Sequence, residues 1–456
     1  MTIFSNIRRL ARPAPAYASV LFVFLLSGCS EAPLDISQVN EAIGATLNAE
    51  SKDSDQNKLV TIESGLRTSL GEAVKANDAY RSLLALESEA FAKIDIANSA
   101  RKTQVSTNAS IGGLNENGAS GGSTIGFNGG LTLSRLLYDA GESTATVDLT
   151  SAQALAAQAE RQLRANELAL EAARAWIDVW QFSARIGLLN DKTSEMDTLV
   201  SQIERSANSG MIDRATLEGV RRKIVDISLE RVRLDSNLQE SQIRFRRYFN
   251  QSPSTLSRPS EVVDLKQFNA MVEDWQQAPA LRRQAAELVM ARYNVKIAEA
   301  EFKPRARIEG AIRAPMQSDQ SAVTSLGVLL TYTLGDGGRR EANLRSANSR
   351  LEAAQAQLID ARSRIEAEIL AATTQLASIE QSMPLLAENI RLSAGEAEIA
   401  RSQIVTGQSN LQRLIEAEVQ NYRALDSQIA IQAEKMILQL TVAALTGGLG
   451  RELGLD

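Results

Sequence analysis

Leu334-Gly335-Asp336-Gly337-Gly338-Arg339-Arg340 ends one segment of alternating residues and opens a long helical one. An Asp at such a junction can cap the first free N–H groups of a helix, and the glycines behind it permit a sharp change of direction. A phosphate loop is excluded, because the stretch lacks the Lys-Ser/Thr ending and upstream spacing that a phosphate cradle needs. The same junction occurs once before, as Asp139-Ala140-Gly141, 197 residues upstream. Gly210 and Gly407 are also 197 residues apart, so each Asp is followed by a Gly 71 residues later, with no insertion or deletion in either half. Further upstream, Ala79-Tyr80-Arg81 roughly answers Pro279-Ala280-Leu281. Such a period means two copies of one plan of about 170 residues: helix, two short alternating segments, a very long helix, a turn and a final helix. The copies are assigned to residues 66–249 and 279–450, with a connector over 250–278 and a C-terminal tail over 451–456.

The short segments alternate with period two, which places one class of side chain on each face of a strand. In the first copy Val105, Ala109 and Ile111 oppose Gln104, Ser106, Asn108 and Ser110; Ile125, Phe127, Leu131 and Leu133 oppose Thr124, Asn128, Thr132 and Ser134. In the second, Ala306, Ile308 and Ile312 oppose Arg305, Arg307, Glu309 and Arg313, and Leu326, Val328, Leu330, Tyr332 and Leu334 oppose Ser325, Gly327, Thr331 and Thr333. Gly112–Gly122 and Gln317–Gln320 supply hairpin loops. Lipid outside and water inside a barrel require this alternation; so does a soluble sandwich. Four strands cannot close a membrane barrel, for which about eight is the minimum, whereas three chains would supply twelve.

The long segments carry heptads. Leu344, Leu351, Leu358, Ile365, Ala372, Ile379 and Leu386 recur at sevens, with Ala347, Ala354 and Ala361 as a second row; Leu149, Ala156, Leu163, Leu170, Ile177 and Ala184 answer them in the first copy. That is coiled-coil spacing with small residues for close helix approach. A helix from about Gly338 to Val405 would run roughly 100 Å, and Pro384 within it should bend or locally open it.

The first residues fix the compartment. Arg8, Arg9 and Arg12, without an acid among them, precede an apolar run from Tyr17 to Leu26 and then Leu26-Ser27-Gly28-Cys29. This is a secretory signal (1–28) ending in a lipobox, which leaves Cys29 as an acylated N-terminus, palmitate among its chains, ahead of a linker over 29–65. Ser30, rather than Asp, follows the cysteine, as in lipoproteins passed on to the outer membrane. Removing the signal takes away three Arg and moves the net charge from −6 to −9, which argues against nucleic acid as a partner. One cysteine and no histidine leave no thiolate cluster, no common metal ligand and no common general base, so neither a metal nor a cofactor is expected and the chain does not read as an enzyme. Carboxylates such as Glu366 and Glu368 stand beside Arg362 and Arg364 on helix faces, where solvated ion pairs are the default. No stretch after Cys29 resembles a membrane-spanning helix, so any crossing must be by strands.

Taken together these residues resemble the TolC family of outer-membrane efflux and secretion channels. Asp336-Gly337-Gly338 with its basic neighbours is similar to that family's strand-to-helix signature. Phe302-Lys303-Pro304 resembles its aromatic-x-Pro strand entry, and Thr406-Gly407-Gln408-Ser409-Asn410-Leu411 through Ala417 its turn at the periplasmic tip; the likeness spans about residues 66–450. It implies a mixed α/β membrane protein: a homotrimeric 12-stranded β-barrel, four strands per chain, continued by a long α-helical coiled-coil tunnel. It further implies a passive conduit for drug efflux or type I protein secretion, with a periplasmic adaptor and an inner-membrane pump or ABC transporter as partners and outer-membrane lipid around the strands. On this resemblance Gly210, Met211, Ile212, Asp213, Gly407, Gln408, Ser409, Asn410 and Leu411 face the adaptor; Asp139, Gly141, Asp336, Gly337 and Gly338 form the strand-to-helix turns; and Arg305, Arg307, Glu309 and Arg313 face the lumen or anchor headgroups. Thr216 and Arg413 stand where the family often has an Asp six residues after the tip Gly, which leaves the gate and cation selectivity open. Gln104 replaces the Pro at the first strand entry. The alternative from the helices alone is a non-conducting periplasmic adaptor or structural tether lipoprotein.

Overall fold

The computed structural model describes residues 35–47, 64–115, 123–208, 214–253, 256, 258–259, 272, 275–314, 321–405 and 411–455. Cys29 and the predicted tip residues Gly210, Met211, Ile212, Asp213, Gly407, Gln408, Ser409 and Asn410 lie outside them.

Two helices, α1 (Ile36–Leu47) and α2 (Ser64–Ala76), precede the first repeat. That repeat then runs α3 (Asp78–Ser99), β1 (Gln104–Asn115), β2 (Ser123–Tyr138), α4 (Glu142–Asn208) and α5 (Arg214–Phe249). The second follows the same order: α6 (Pro279–Ala300), β3 (Arg305–Ala314), β4 (Val323–Thr331), α7 (Arg339–Val405) and α8 (Leu411–Leu445), closed by a short α9 (Gly448–Glu452). The duplication extends to lengths. Helices α3 and α6 have 22 residues each and α4 and α7 have 67 each, while α5 and α8 have 36 and 35. At about 1.5 Å per residue, α4 and α7 are each roughly 100 Å long.

The strands form one antiparallel sheet in the order β1-β2-β3-β4. Over most of its length its register keeps the two classes of side chain apart: Val105 lies opposite Leu133, Leu131 opposite Ile312 and Ile308 opposite Val328, while Gln104 lies opposite Ser134, Ser134 opposite Glu309 and Thr132 opposite Ala311. Toward the helix end Arg135 lies opposite Ile308, and Leu136 and Leu329 flank Arg307. One face is therefore an apolar sheet, well exposed at Val105, Ile111, Leu326, Val328 and Leu330. A slip of one residue would exchange the faces, so the pattern itself fixes the register. The alternation in the sequence continues to Leu334, but β4 ends at Thr331, because its partner begins at Arg305 and offers no ladder further on. The first residue of β1 and of β3, and the last of β2 and of β4, all connect to helices, which places every helix off one end of the sheet.

The helices form a layer in which α4 is central, flanked by α3 and α5 on one side and α6 and α8 on the other, with α7 beyond. Alanines make this possible. Ala152, Ala154, Ala165, Ala169, Ala172, Ala173 and Ala175 of α4 are all essentially inaccessible, so neighbouring backbones approach closely around most of its circumference. Helix α7 buries only its heptad stripe, through Ala354, Ile365, Ala372, Leu376 and Ile379. It runs on unbroken through Pro384, which sits on its exposed side. At the level where α5 and α8 end and α3 and α6 begin, α2, α9 and the C-terminal leucines pack over α4 and α8 around Leu70, Ile177, Leu440, Leu449 and Leu455. Gly447 makes the turn out of α8 with φ 80°, where any Cβ would lie 2.9 Å from the Pro279 ring that starts α6. The end of the chain is held against the helices: Gly450 N–H donates to Asn166 (2.7 Å), and Arg161 and Tyr80 both donate to the Leu455 carbonyl.

Candidate functional site

The strand-to-helix turns show how each repeat converts a strand into a tunnel helix. Asp139 Oδ1 accepts from Gly141 N–H at 3.1 Å and Oδ2 from Ser143 N–H at 2.7 Å. Asp336 repeats this, with Oδ1 accepting from Gly338 N–H at 3.1 Å and Oδ2 from Arg340 N–H at 3.1 Å. In both turns the two residues after the Asp have left-handed backbone, Ala140 (φ 58°) and Gly141 (φ 86°) against Gly337 (φ 69°) and Gly338 (φ 89°). The expected glycine requirement holds at three of the four positions; Ala140 meets it without a glycine.

Charged side chains then tie the turns to the rest of the sheet. Arg340 Nε donates back to Asp336 (2.8 Å) while its guanidinium lies 5.3 Å from the Phe302 ring centroid. The aromatic strand entry and the basic turn, singled out separately in the sequence, are therefore one contact. Partial burial pushes the Asp336 carboxyl up, but the N–H groups of Arg340 and Gly338 and the guanidinium outweigh it and hold the group below its ordinary value. In the first repeat the turn has no arginine; Glu142 instead pairs with Arg305, from the other repeat. Burial raises the Glu142 carboxyl above its ordinary value, Arg305 opposing.

Of the four charged residues predicted on the wet face of β3, Arg307 and Glu309 do share it, 3.7 Å apart, and Arg313 follows in phase. Arg305 has the same parity but its head reaches the start of α4. Tyr138 and Tyr332, exposed at the helix end of the apolar face, are placed as interface aromatics would be.

The predicted tip residues come into view only at Leu411, which opens α8. Above it, two ion-pair ties join the helical hairpins, and sequence reading missed both. Glu418, almost fully buried, accepts from Arg401 of α7 and lies 3.4 Å from Lys192 of α4. Arg185 of α4 grips Asp426 of α8 through two bonds (2.6 and 2.9 Å) and approaches Glu230 of α5 at 3.6 Å. The tyrosine beside it, Tyr422, is pushed up by burial first and by Asp426 and Glu230 next. These partners are up to 241 residues apart, so no local spacing announces them.

Among the described residues no helix is long and apolar enough to cross a membrane, and no cluster of ligating side chains could hold a metal ion. A sequence model of the outer membrane efflux protein family matches residues 69–251 and 273–448. No curated protein matches the chain significantly. Solved structures do: the Campylobacter jejuni CmeC outer membrane channel (16% identity, TM-score 0.74, covering 88% of this chain and 91% of that one). The outer membrane protein VceC of Vibrio cholerae is similar at 17% identity and TM-score 0.73, covering 86% and 97%. So is the open state of the Neisseria gonorrhoeae MtrE outer membrane channel, at 16% identity and TM-score 0.71, covering 86% and 90%. The family match takes in both repeats and all four strands, which removes the reading as a periplasmic tether: the chain belongs to the outer membrane efflux protein family, whose members are transport channels and not enzymes.

Proposed function

We propose that three copies of this chain close a twelve-stranded barrel in the outer membrane and continue it as a helical tunnel through the periplasm. The supporting observation is the sheet itself. It has four strands, an apolar face and a polar face, and two open edges at β1 and β4. Open edges in lipid leave backbone N–H and C=O groups without partners, at a cost of several kcal/mol each, so the sheet must be completed by further strands. Pairing of β1 with β4 of the next copy completes it with no new element. The apolar face then meets lipid, and Arg307, Glu309 and Arg313 face water in the lumen.

In this reading energy comes from elsewhere. A periplasmic adaptor meets the tips around Gly210–Asp213 and Gly407–Leu411, and an inner-membrane pump or ABC transporter loads small molecules or unfolded protein. Cys29, acylated, is an auxiliary tether, and residues 250–278 join the repeats at the tunnel's equator.

Purified protein reconstituted in a planar bilayer is expected to give discrete conductance steps, larger when the tie at Arg185 is removed by Arg185→Ala. Cysteines placed at Ser106 and Ser325, polar-face residues on strands at opposite edges, should crosslink between chains into a trimer. Monomers without conductance, in wild type and variant alike, would overturn the conduit.

A further inference from the structure

Where α8 ends and α6 begins, between α4 and α7, the helical layer has a notch of about 620 Å³, in the range that accepts a drug-sized molecule. Its floor is apolar, built by Leu163 and Leu170 of α4, Ile365 of α7 and Leu445 of α8. Its rim is charged, with Glu167, Glu287, Asp360 and Glu368 against Arg283 and Arg364. Both rim arginines are already engaged. Arg283 donates to Glu160 at 2.8 Å and lies 3.7 Å from Glu287, and Arg364 pairs with Asp360. Glu167 in turn is held by Arg164 at 2.6 Å. Glu368 is exposed and has no hydrogen bond or ion pair among the described residues. With the neighbours Glu160 and Arg164 included, the carboxylates outnumber the guanidiniums, and the surplus is centred on Glu368.

The α6 and α7 residues that touch the equatorial segments lie on other faces of their helices than the charged rim of the notch. Helix α1 contacts α6 through Asn40, which accepts from Arg282, and Trp275 lies 5.6 Å from Arg362 of α7. Arg282 is about 200° round its helix from Ala280, and Arg362 the same from Asp360 and Arg364, at about 100° per residue. In a tunnel that carries α1 and Trp275 outside, the notch faces the lumen.

The feature is duplicated, as a part of the basic plan would be. In the first repeat Ala79, Ser82, Leu83, Arg164, Glu167, Leu168 and Glu171 line a smaller cavity of about 390 Å³. Moved 201 residues on for α3 and 197 for α4, they become Ala280, Arg283, Gln284, Ala361, Arg364 and Glu368 with Ile365 in place of Leu168, all of them in the larger notch. The counterpart of Glu368 is thus Glu171, and there the carboxylate is occupied: it accepts from the Tyr248 hydroxyl. Burial first, and that bond next, push the tyrosine up to about 12. The second repeat keeps the larger cavity and leaves its carboxylate vacant for a ligand.

We propose that the second-repeat notch is a lumenal binding site for an amphiphilic organic cation, its apolar body on the leucine and isoleucine floor and its positive group against Glu368. The inference rests on the conduit reading and names one cargo class for it. A shallow, solvent-open site of this kind binds weakly, which suits a passage that must also release.

The test uses the full chain in lipid nanodiscs, with rhodamine 6G as the cationic probe, fluorescein as its anionic counterpart and empty discs as the baseline. Fluorescence polarisation is expected to show saturable binding of rhodamine 6G and none of fluorescein. Glu368→Gln should weaken it about threefold to fivefold, the effect of losing one solvent-exposed charge pair of up to about 1 kcal/mol. Leu163→Ser should weaken it similarly, and Glu366→Gln, on the opposite side of α7, should not. Binding of both dyes alike, no binding above empty discs, or equal affinity in Glu368→Gln and Glu366→Gln would overturn the site. Conductance of the same preparation separates the two ideas: a pore without Glu368-dependent binding sinks the notch alone, and Glu368-dependent binding without a pore sinks the conduit alone.

Discussion

The two repeats have the same skeleton and opposite surroundings. Helix α4 is wrapped on nearly every side, while α7, of the same length, keeps one flank exposed at Ile359, Leu370, Leu385, Leu392 and Ile399. Positions 197 residues apart show the consequence: Ala165, Ala169 and Ala173 of α4 become Arg362, Glu366 and Leu370 of α7. Duplication thus kept the geometry of the turns and the helix lengths, and at these positions the side chains follow burial. The equatorial cores differ in the same way. The first repeat fills its end with rings, Trp176, Phe245 and Phe249, whose centroids lie 4.3 to 5.7 Å apart. The second has Thr373, Val442 and Thr446 at the corresponding positions, and the C-terminal leucines fill the space.

Breaking that ring cluster should have the largest effect. Phe245→Ala removes a side chain that is 1% exposed, and such truncations cost about 3–5 kcal/mol. Val442→Ala, its second-repeat counterpart, deletes two carbons only and should cost clearly less. Thermal unfolding of the detergent-solubilised protein compares the two; equal losses would mean that the repeats share their core more evenly than the contacts indicate.

The next contrast separates the fold of a chain from its assembly. Ala173→Leu forces three extra carbons into a site with no accessible surface, and overpacking of this kind costs about 1–3 kcal/mol. Leu370→Ala, on the 65% exposed flank of α7, should leave the thermal transition of the chain nearly unchanged but reduce the trimer fraction seen by native mass spectrometry. If Leu370→Ala left assembly intact, this flank of α7 would not be a contact between copies.

How much of this could be read beforehand follows from the range of each interaction. The repeat offset, the capping Asp residues and the period-two strands are local patterns, and the structure shows them where the sequence places them except at strand ends, where β1 runs into the expected loop as far as Asn115 and β4 stops at Thr331, short of Leu334. The equatorial packing is not local. Arg161, 4% exposed, satisfies Glu87 and Tyr80 of α3 and the Leu455 carbonyl at once, partners 74 to 294 residues away in the chain. The hairpin ties at Arg185 and Glu418 are invisible for the same reason, since a surface of alternating Glu and Arg gives no hint of which pair will be buried. The notch at Glu368 was read as an ordinary solvated helix face, and only the end-to-end meeting of α8 and α6 makes it a cavity.

The capping residues offer a finer comparison, because their geometry matches and their electrostatics do not. Asp139→Ala loses two N–H acceptors and should cost about 1 kcal/mol, the usual value for a helix cap. Asp336→Ala loses the same two and also strands Arg340, so its unfolding temperature should fall further. The loss at Asp336 should also depend on pH. A carboxyl held below its ordinary value contributes stability that is present above the unfolded-state value and is lost as pH falls through the folded one. Asp336 is such a group, so the deficit of Asp336→Ala relative to wild type should be full at neutral pH and shrink below about pH 4. A deficit that does not change with pH would mean that shape, not charge, sets the cap.

The smallest expected effect bears on the one place where the turns meet the same backbone demand with different residues. Ala140 stands left-handed at φ 58°, where its counterpart is Gly337 at φ 69°. For a residue with a Cβ that conformation costs roughly 1–2 kcal/mol, while glycine escapes the strain but loses more freedom on folding, an opposing term of about 0.4–1 kcal/mol. Ala140→Gly should therefore raise stability slightly, by about 0.5–1 kcal/mol, and Gly337→Ala should lower it by a similar amount, the space beside Gly337 being open. The double exchange should return close to wild type, because the turns lie in separate repeats and do not touch. If Ala140→Gly instead destabilised, the first turn would owe its shape to the Glu142–Arg305 pair that crosses from the other repeat, and the two halves would be coupled at their junctions and not merely duplicated.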